Sequence, residues 1–353
     1  MNYEVNGHNI FIIVTTCFLA SLIFVQLMKK VAIFLKIMDV PNEKRKIHKK
    51  PMPLLGGLGI YFAFLLGYMA FAPKNNLMIS ILISSFLIVL LGLFDDMTKS
   101  ETPMPNKYKW LVQLIVAAIV VFYGGLELTK VTLFGLKINF AVVPLLPEVL
   151  SIFIIIATIN AINLIDGLDG LCAGISSIYF LTIAVIGFIL NKFGGLDIIL
   201  CLIMLGSTLG YLVHNFPPAR IYQGDAGSTF LGFMISVIFL LGFKTTTLTS
   251  LVIPLLILAI PIMDTLCAII RRKLKGQKID HADKEHLHHQ LLKKLSKRST
   301  LLVIYAINVL FSVTSIFYVV GDKKEAAVCY VIITFIVLFL VFKTNIIFER
   351  SKK

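Results

Sequence analysis

SIFIIIATI, residues 151–159, runs without a break into NAINLIDGLDGLCAG, residues 160–174. The first part is unbroken apolar sequence of the kind that crosses a bilayer; the second sets Asn160, Asn163, Asp166 and Asp169 among glycines directly at its end. Apolar runs without period-two alternation, interrupted only by glycine, build membrane helices rather than a barrel, because in lipid every backbone group must bond within its own segment. The polar string then sits where such a helix meets water, and the pattern recurs through the chain.

Of the 353 residues, 58% are hydrophobic and the mean hydropathy is +0.91, far above the ~45–50% apolar share of soluble domains. A span needs about 20 mostly apolar residues. Eleven segments qualify or nearly do: 9–28, 55–72, 77–94, 110–123, 149–162, 171–190, 198–213, 228–243, 248–270, 301–320 and 326–341. The expected fold is an all-α, polytopic bundle of about eleven transmembrane helices forming one domain over residues 1–353. The first span is read as retained, since MNYEVNG before it carries no cation and Lys29 and Lys30 follow it. With the N-terminus outside and the C-terminus inside, 26 of the 33 lysines and arginines fall on the inner side, the positive-inside pattern. The net charge of +14 is therefore mostly a topology signal, suited also to anionic lipid headgroups and an anionic substrate. No aromatic-basic motif supports a nucleic-acid partner. Cys17, Cys172, Cys201, Cys267 and Cys329 lie in or beside spans without CxxC pairing and read as small apolar residues.

In this topology every unusual polar cluster falls inside. The outer segments are plain, although KVTLFGLKINFAVV, residues 130–143, alternates like a small β-hairpin. A transporter of an anionic solute would place ionisable residues near the midplane. Their collection at one rim suits an enzyme joining a cytosolic reactant to a lipid headgroup.

Four inner clusters carry chemistry. Asp95 and Asp96 in GLFDDMTK need cations, a metal or water at a helix end; Lys99 in place of a third aspartate counts against the DDxxD diphosphate motif. Asn163, Asp166 and Asp169 repeat at a spacing of three, which puts helical neighbours on one face. Asp225 lies between glycines in QGDAGS, as a helix N-cap or, with Asn163, as an oxygen ligand for Mg2+ that keeps waters and phosphate oxygens as its other ligands. The segment 271–299 is rich in His, Lys and Arg, with Leu287, Leu291, Leu292 and Leu295 at helical spacing. It is expected to form a cytoplasmic loop with an amphipathic helix on the membrane surface, its histidines a basic crown over phosphates.

RKIHKKPMPLLGG, GLFDD with Lys99, NAINLIDGLDGL, GDAGS and ADKEHLHHQLL, in this order, resemble the polyprenyl-phosphate N-acetylhexosamine-1-phosphate transferase family over about Val40 to Leu292. The HLHH string resembles its UDP-GlcNAc:undecaprenyl-phosphate branch, which starts teichoic acid, O-antigen and related polymers; the sister branch, making the first lipid intermediate of peptidoglycan from UDP-MurNAc-pentapeptide, usually has three consecutive histidines there. His281 stands where the branch often has an aromatic and Gln290 where it often has Arg. The resemblance implies a bacterial plasma-membrane enzyme, its site on the cytoplasmic face. Its substrates would be UDP-GlcNAc and undecaprenyl phosphate, and its cofactor Mg2+ or Mn2+. It implies that Asn163 and Asp225 hold the metal, that Asp169 and Asn215 reach the uracil with Asp166 nearby, and that Tyr222 stacks on it. Asp95 and Asp96 would face the nucleophile, Lys99 and Lys109 would receive the lipid phosphate, and His286, His288, His289, Arg45, Lys46 and His48 would line the sugar-phosphate side. Of these, Asp95, Asp96, Asp225, His288 and His289 form the catalytic set. The oligomeric state stays open, a homodimer being a guess.

Overall fold

The computed structural model describes residues 4–5, 7–41, 51–98, 104–133, 136–192, 194–245, 248, 250–274, 286–321 and 323–343. It is a helical bundle. The helices are α1 (Ile10–Phe34), α2 (Gly56–Phe71), α3 (Asn76–Thr98), α4 (Asn106–Ala118), α5 (Leu146–Ile165), α6 (Leu171–Ile189), α7 (Leu196–Asn215), α8 (Gly224–Lys244), α9 (Val252–Ile257), α10 (Ala259–Leu274), α11 (Leu287–Leu292), α12 (Lys297–Val320) and α13 (Lys323–Lys343). Among the described residues, seven helices, α1, α3, α5, α6, α7, α8 and α12, are long and apolar enough to cross a membrane. Among the described residues, strands occur as three antiparallel pairs, of which Lys130–Leu133 with Leu136–Asn139 forms a hairpin in the segment whose sequence alternates.

The centre of the bundle is α8, 94% of whose most apolar stretch is buried, against 28% for α1. Its neighbours α2, α3 and α5 close on it through small residues. A Cβ added to Gly232 would stand 2.6 Å from the Ile159 Cα, and one at Gly57 or Gly92 would overlap the α8 backbone at Gly227 or Ala226. Close backbone approach through small residues is how helices associate where lipid removes the hydrophobic difference. Buried hydroxyls and amides add cross-links: Ser21 Oγ donates to Ser207 O (2.7 Å), Ser177 Oγ to Thr208 Oγ1 (2.8 Å) and Asn160 Nδ2 to Gln113 Oε1 (2.8 Å).

Two expectations are corrected. The single segment expected over 248–270 divides into α9 and α10. Pro261 has no N–H to offer Ile257 O, and a proline inside a helix breaks or kinks it there; Asn308 Nδ2 from α12 donates to that carbonyl instead, at 3.0 Å. The inner loop expected from residue 271 starts later, because α10 continues to Leu274 with Arg271 and Arg272 buried in its last turn, where cations suit the negative end of the helix dipole. Of the amphipathic helix expected over 271–299, the described residues hold the six-residue α11, with His288 and Gln290 turned inward.

Candidate active site

The C-terminal ends of α3, α5 and α7 meet the N-terminal ends of α4, α6, α8 and α12, and most of the described polar residues singled out by sequence lie there. Asp95 and Asp96 are both buried. Consecutive residues on a helix point about 100° apart, so the two carboxylates serve different neighbours. Asp96 turns to α8: its Oδ1 accepts from Asp225 N (2.8 Å) and its Oδ2 from Ala226 N (3.1 Å). These N–H groups belong to the first turn of α8, which has no side-chain cap of its own and whose first donors lack intrahelical partners. The approach requires glycine at 224, where φ is +70° and a Cβ would overlap Asp96 Oδ2.

Asp95 turns instead to Lys109, whose Nζ lies 2.6 Å from Asp95 Oδ2 and 3.5 Å from Asp225 Oδ2. The lysine thus bridges carboxylates from α3 and α8. Asp225 keeps 21% of its side chain exposed, and its other oxygen faces Asn163 Nδ2 at 3.4 Å. The same amide donates to Ser228 Oγ at 2.7 Å, one helical turn beyond Asp225. Sequence reading passed over Ser228, although the GDAGS string contains it.

The glycine-rich string 166–170 forms the turn between α5 and α6. Asn215 fastens it to the next turn: its Oδ1 accepts from Gly170 N (2.8 Å) and its Nδ2 donates to Ile221 O (2.8 Å). In this structure Asn215 is a buried staple between two loops. Asp169 accepts from Ala219 N (3.3 Å), pairs with Lys297 (3.5 Å) and bonds the Tyr222 hydroxyl, whose phenol is pushed up by burial and then by the Asp169 charge. Asp166 ends α5 exposed.

The histidines come from α11 and the residue before it. His286 Nδ1 stands 2.9 Å from Asp264 Oδ2, and Leu287 N donates to Asp264 Oδ1 at 2.8 Å. An ionised carboxylate only accepts, so Nδ1 carries the proton. Asp264 lies within the apolar stretch 248–270, and its partner 22 residues away was not legible from the sequence. His288 is 2% exposed and lies against Gly167, where a Cβ would overlap its Nε2. Burial, then the His289 charge beside it, hold its imidazole down at about 3. The His288 ring lies 4.3 Å from that of His289 and 5.9 Å from that of His286, centre to centre. Arg45, Lys46, His48, Lys99 and His281 lie outside the described residues.

The geometry assembles two carboxylates and a lysine beside an amide, at the mouth of a buried polar floor. Among the described residues no cluster of three or more His, Cys, Asp or Glu side chains could hold a metal. A Mg2+ that keeps waters and takes phosphate oxygens needs fewer protein ligands. Asp225 with the Asn163 carbonyl oxygen fits it by donor type.

A sequence model of the family described as glycosyl transferase family 4 matches residues 78–243, from α3 to α8. A Bacillus subtilis (strain 168) protein named "Probable undecaprenyl-phosphate N-acetylglucosaminyl 1-phosphate transferase" is 40% identical over 310 residues, covering 84% of this chain and 82% of its own. The chain belongs to glycosyl transferase family 4. The "Undecaprenyl-phosphate alpha-N-acetylglucosaminyl 1-phosphate transferase" of Salmonella typhi is 31% identical, with 84% of this chain and 80% of that protein covered. The "Decaprenyl-phosphate N-acetylglucosaminephosphotransferase" of Mycolicibacterium smegmatis is 28% identical, over 75% and 71%. The matched family 4 region includes Asp95, Asp96, Lys109, Asn163, Asp169, Asn215 and Asp225, while Asp264, the histidines and α12 lie beyond it.

Proposed function

We propose that this protein transfers GlcNAc-1-phosphate from UDP-GlcNAc to undecaprenyl phosphate, or a polyprenyl phosphate like it, and releases UMP. The observation that carries the reading is Lys109 set between Asp95 and Asp225 at one end of an apolar bundle, in a chain whose relatives bear that activity in their names. An oxygen of the lipid phosphate attacks the β-phosphorus; the bond from that phosphorus to the bridging oxygen breaks, and UMP leaves with the electron pair. Phosphoryl transfer asks mainly for positioning and charge neutralisation. Lys109 supplies a cation beside the reacting phosphates, with Lys99 assigned to the same lipid phosphate. Asp225 and Asn163 would hold Mg2+, or Mn2+ in its place, which when bound neutralises the diphosphate. Asp169, Asp166 and Tyr222 form the nucleotide end, with Asn215 fixing the loops that carry them. His286, His288 and His289, with Arg45, Lys46 and His48, line the sugar-phosphate side.

A phosphate monoester has its second pKa near 6, so most lipid phosphate is already dianionic at pH 7 and a base gains little. Asp95 is accordingly a positioning partner of Lys109. The distribution of Lys and Arg supports eleven crossings of a bacterial plasma membrane, with the N-terminus and the 130–139 hairpin outside and the site at the cytoplasmic rim. The test is release of UMP by the purified protein. UDP-GlcNAc should yield UMP only when polyprenyl phosphate is present, and UDP-MurNAc-pentapeptide should yield none. Lipid-independent hydrolysis, or preference for the pentapeptide donor, would overturn the assignment.

A further inference from the structure

Gly170, in the turn assigned to the nucleotide, is gripped from both sides. Its N–H donates to Asn215 Oδ1, and its carbonyl accepts from the Tyr305 hydroxyl at 2.5 Å. Tyr305 comes from α12, which lies outside the matched region 78–243. Two further side chains at the start of α12 reach the same loops: Lys297 Nζ lies 3.5 Å from Asp169 Oδ2, and Arg298 Nε donates to Pro217 O at 3.0 Å. Room for the phenol exists only because residue 174 is glycine, since a Cβ there would overlap the hydroxyl. Gly170 itself has φ +79°, and a Cβ on it would stand 3.1 Å from Leu301, fully buried on the same face of α12.

A buried tyrosine hydroxyl usually finds some partner, so the single bond could be ordinary packing. Three polar side chains from two turns of one helix, converging on the turns at 166–170 and 216–222, are more than packing requires. One of them neutralises Asp169, and the loop they hold ends in Tyr222. We propose that Tyr305, Lys297 and Arg298 are positioning residues for the nucleotide end of the site. They hold Asp169 and the peptide at Gly170 in the geometry that receives the base, so that α12 completes a site whose other parts lie in the matched region. The proposal rests on the transferase reading.

Steady-state kinetics of the purified full-length protein test it. Tyr305→Phe keeps the ring and removes one hydrogen bond; the expected result is a KM for UDP-GlcNAc raised about five- to tenfold, the range of one lost neutral hydrogen bond. The KM for polyprenyl phosphate and kcat should stay within about twofold, and UMP binding measured by calorimetry should weaken in parallel. Should Tyr305→Phe fail to fold, Lys297→Met and Arg298→Lys, at the edge of the bundle, carry the same expectation. A KM for UDP-GlcNAc unchanged in folded variants, or equal rises for both substrates, would overturn the inference. A wild-type protein without lipid-dependent UMP release would instead overturn the transferase reading, which keeps the two failures distinct.

Discussion

Replacing Asp96 by asparagine separates a carboxylate that works on substrate from one that builds the site. In the structure both Asp96 oxygens accept backbone N–H groups at the start of α8, at 2.8 and 3.1 Å. Asparagine keeps one acceptor and turns its amine toward the other N–H. The change removes one charge-assisted hydrogen bond, about 1.5–3 kcal/mol, and the favourable charge at a helix N-terminus, up to ~2 kcal/mol when partly buried. Together a loss of about 2–4 kcal/mol in stability is expected, with fraying of the turn that carries Asp225. Asp95→Asn weakens the contact with Lys109 and also relieves the like charge of Asp225 beside it, so it should cost less stability. The assay is thermal unfolding in detergent beside single-turnover UMP release from pH 5 to 8. Asp96→Asn should lower Tm by several degrees and reduce the rate while leaving the acidic limb in place, near the pKa of the lipid phosphate. An unchanged Tm with the limb abolished would refute the reasoning and make Asp96 a base.

Gly167→Ala is predicted to push on His288 Nε2, destabilising by the ~1–3 kcal/mol of an overpacked core; adding His288→Ala should restore part of the lost Tm, and simple additivity of the two would count against the contact. Asp264→Ala leaves His286 Nδ1–H and Leu287 N–H without their acceptor, so hydrogen exchange at Leu287 should rise and turnover fall at least tenfold, whereas unchanged exchange would mean that the pair does not hold α11. The His288 imidazole titrates at about 3 in the fold against about 6.5 in an unfolded chain. Between those values the unfolded chain binds the proton more readily, so this contribution is complete above about pH 6.5 and declines as pH falls toward 3. A fall in Tm from pH 7 to 5 that is shallower in His288→Phe than in the wild type, with His286, His289 and Asp264 unchanged, is expected, and equal slopes would contradict it.

Much of this was readable from residue order, because membrane helices are specified locally. Apolar length announces a span, and a polar string such as 160–170 announces where it meets water. What was not legible depends on contacts between distant segments. The roles of Asp95 and Asp96 differ because their helix directs one to Lys109 and the other to the α8 backbone, a choice that adjacent identical letters do not encode. Asp264 and His286 are 22 positions apart, and Tyr305 lies in an ordinary apolar run whose link to Gly170 needs the packing of α12 on α6. The break between α9 and α10 was signalled by Pro261, which the apolar count over 248–270 overrode.

The central claim is that phosphate travels with the sugar. UDP-GlcNAc carrying one label on its β-phosphorus and another in its GlcNAc, incubated with the purified protein and polyprenyl phosphate, tests it most directly. The account predicts that both labels enter the lipid phase in equal amounts, on a lipid that mass spectrometry shows to carry two phosphates and one GlcNAc, while UMP accumulates in water. Release of UDP with only the sugar label reaching the lipid would contradict it.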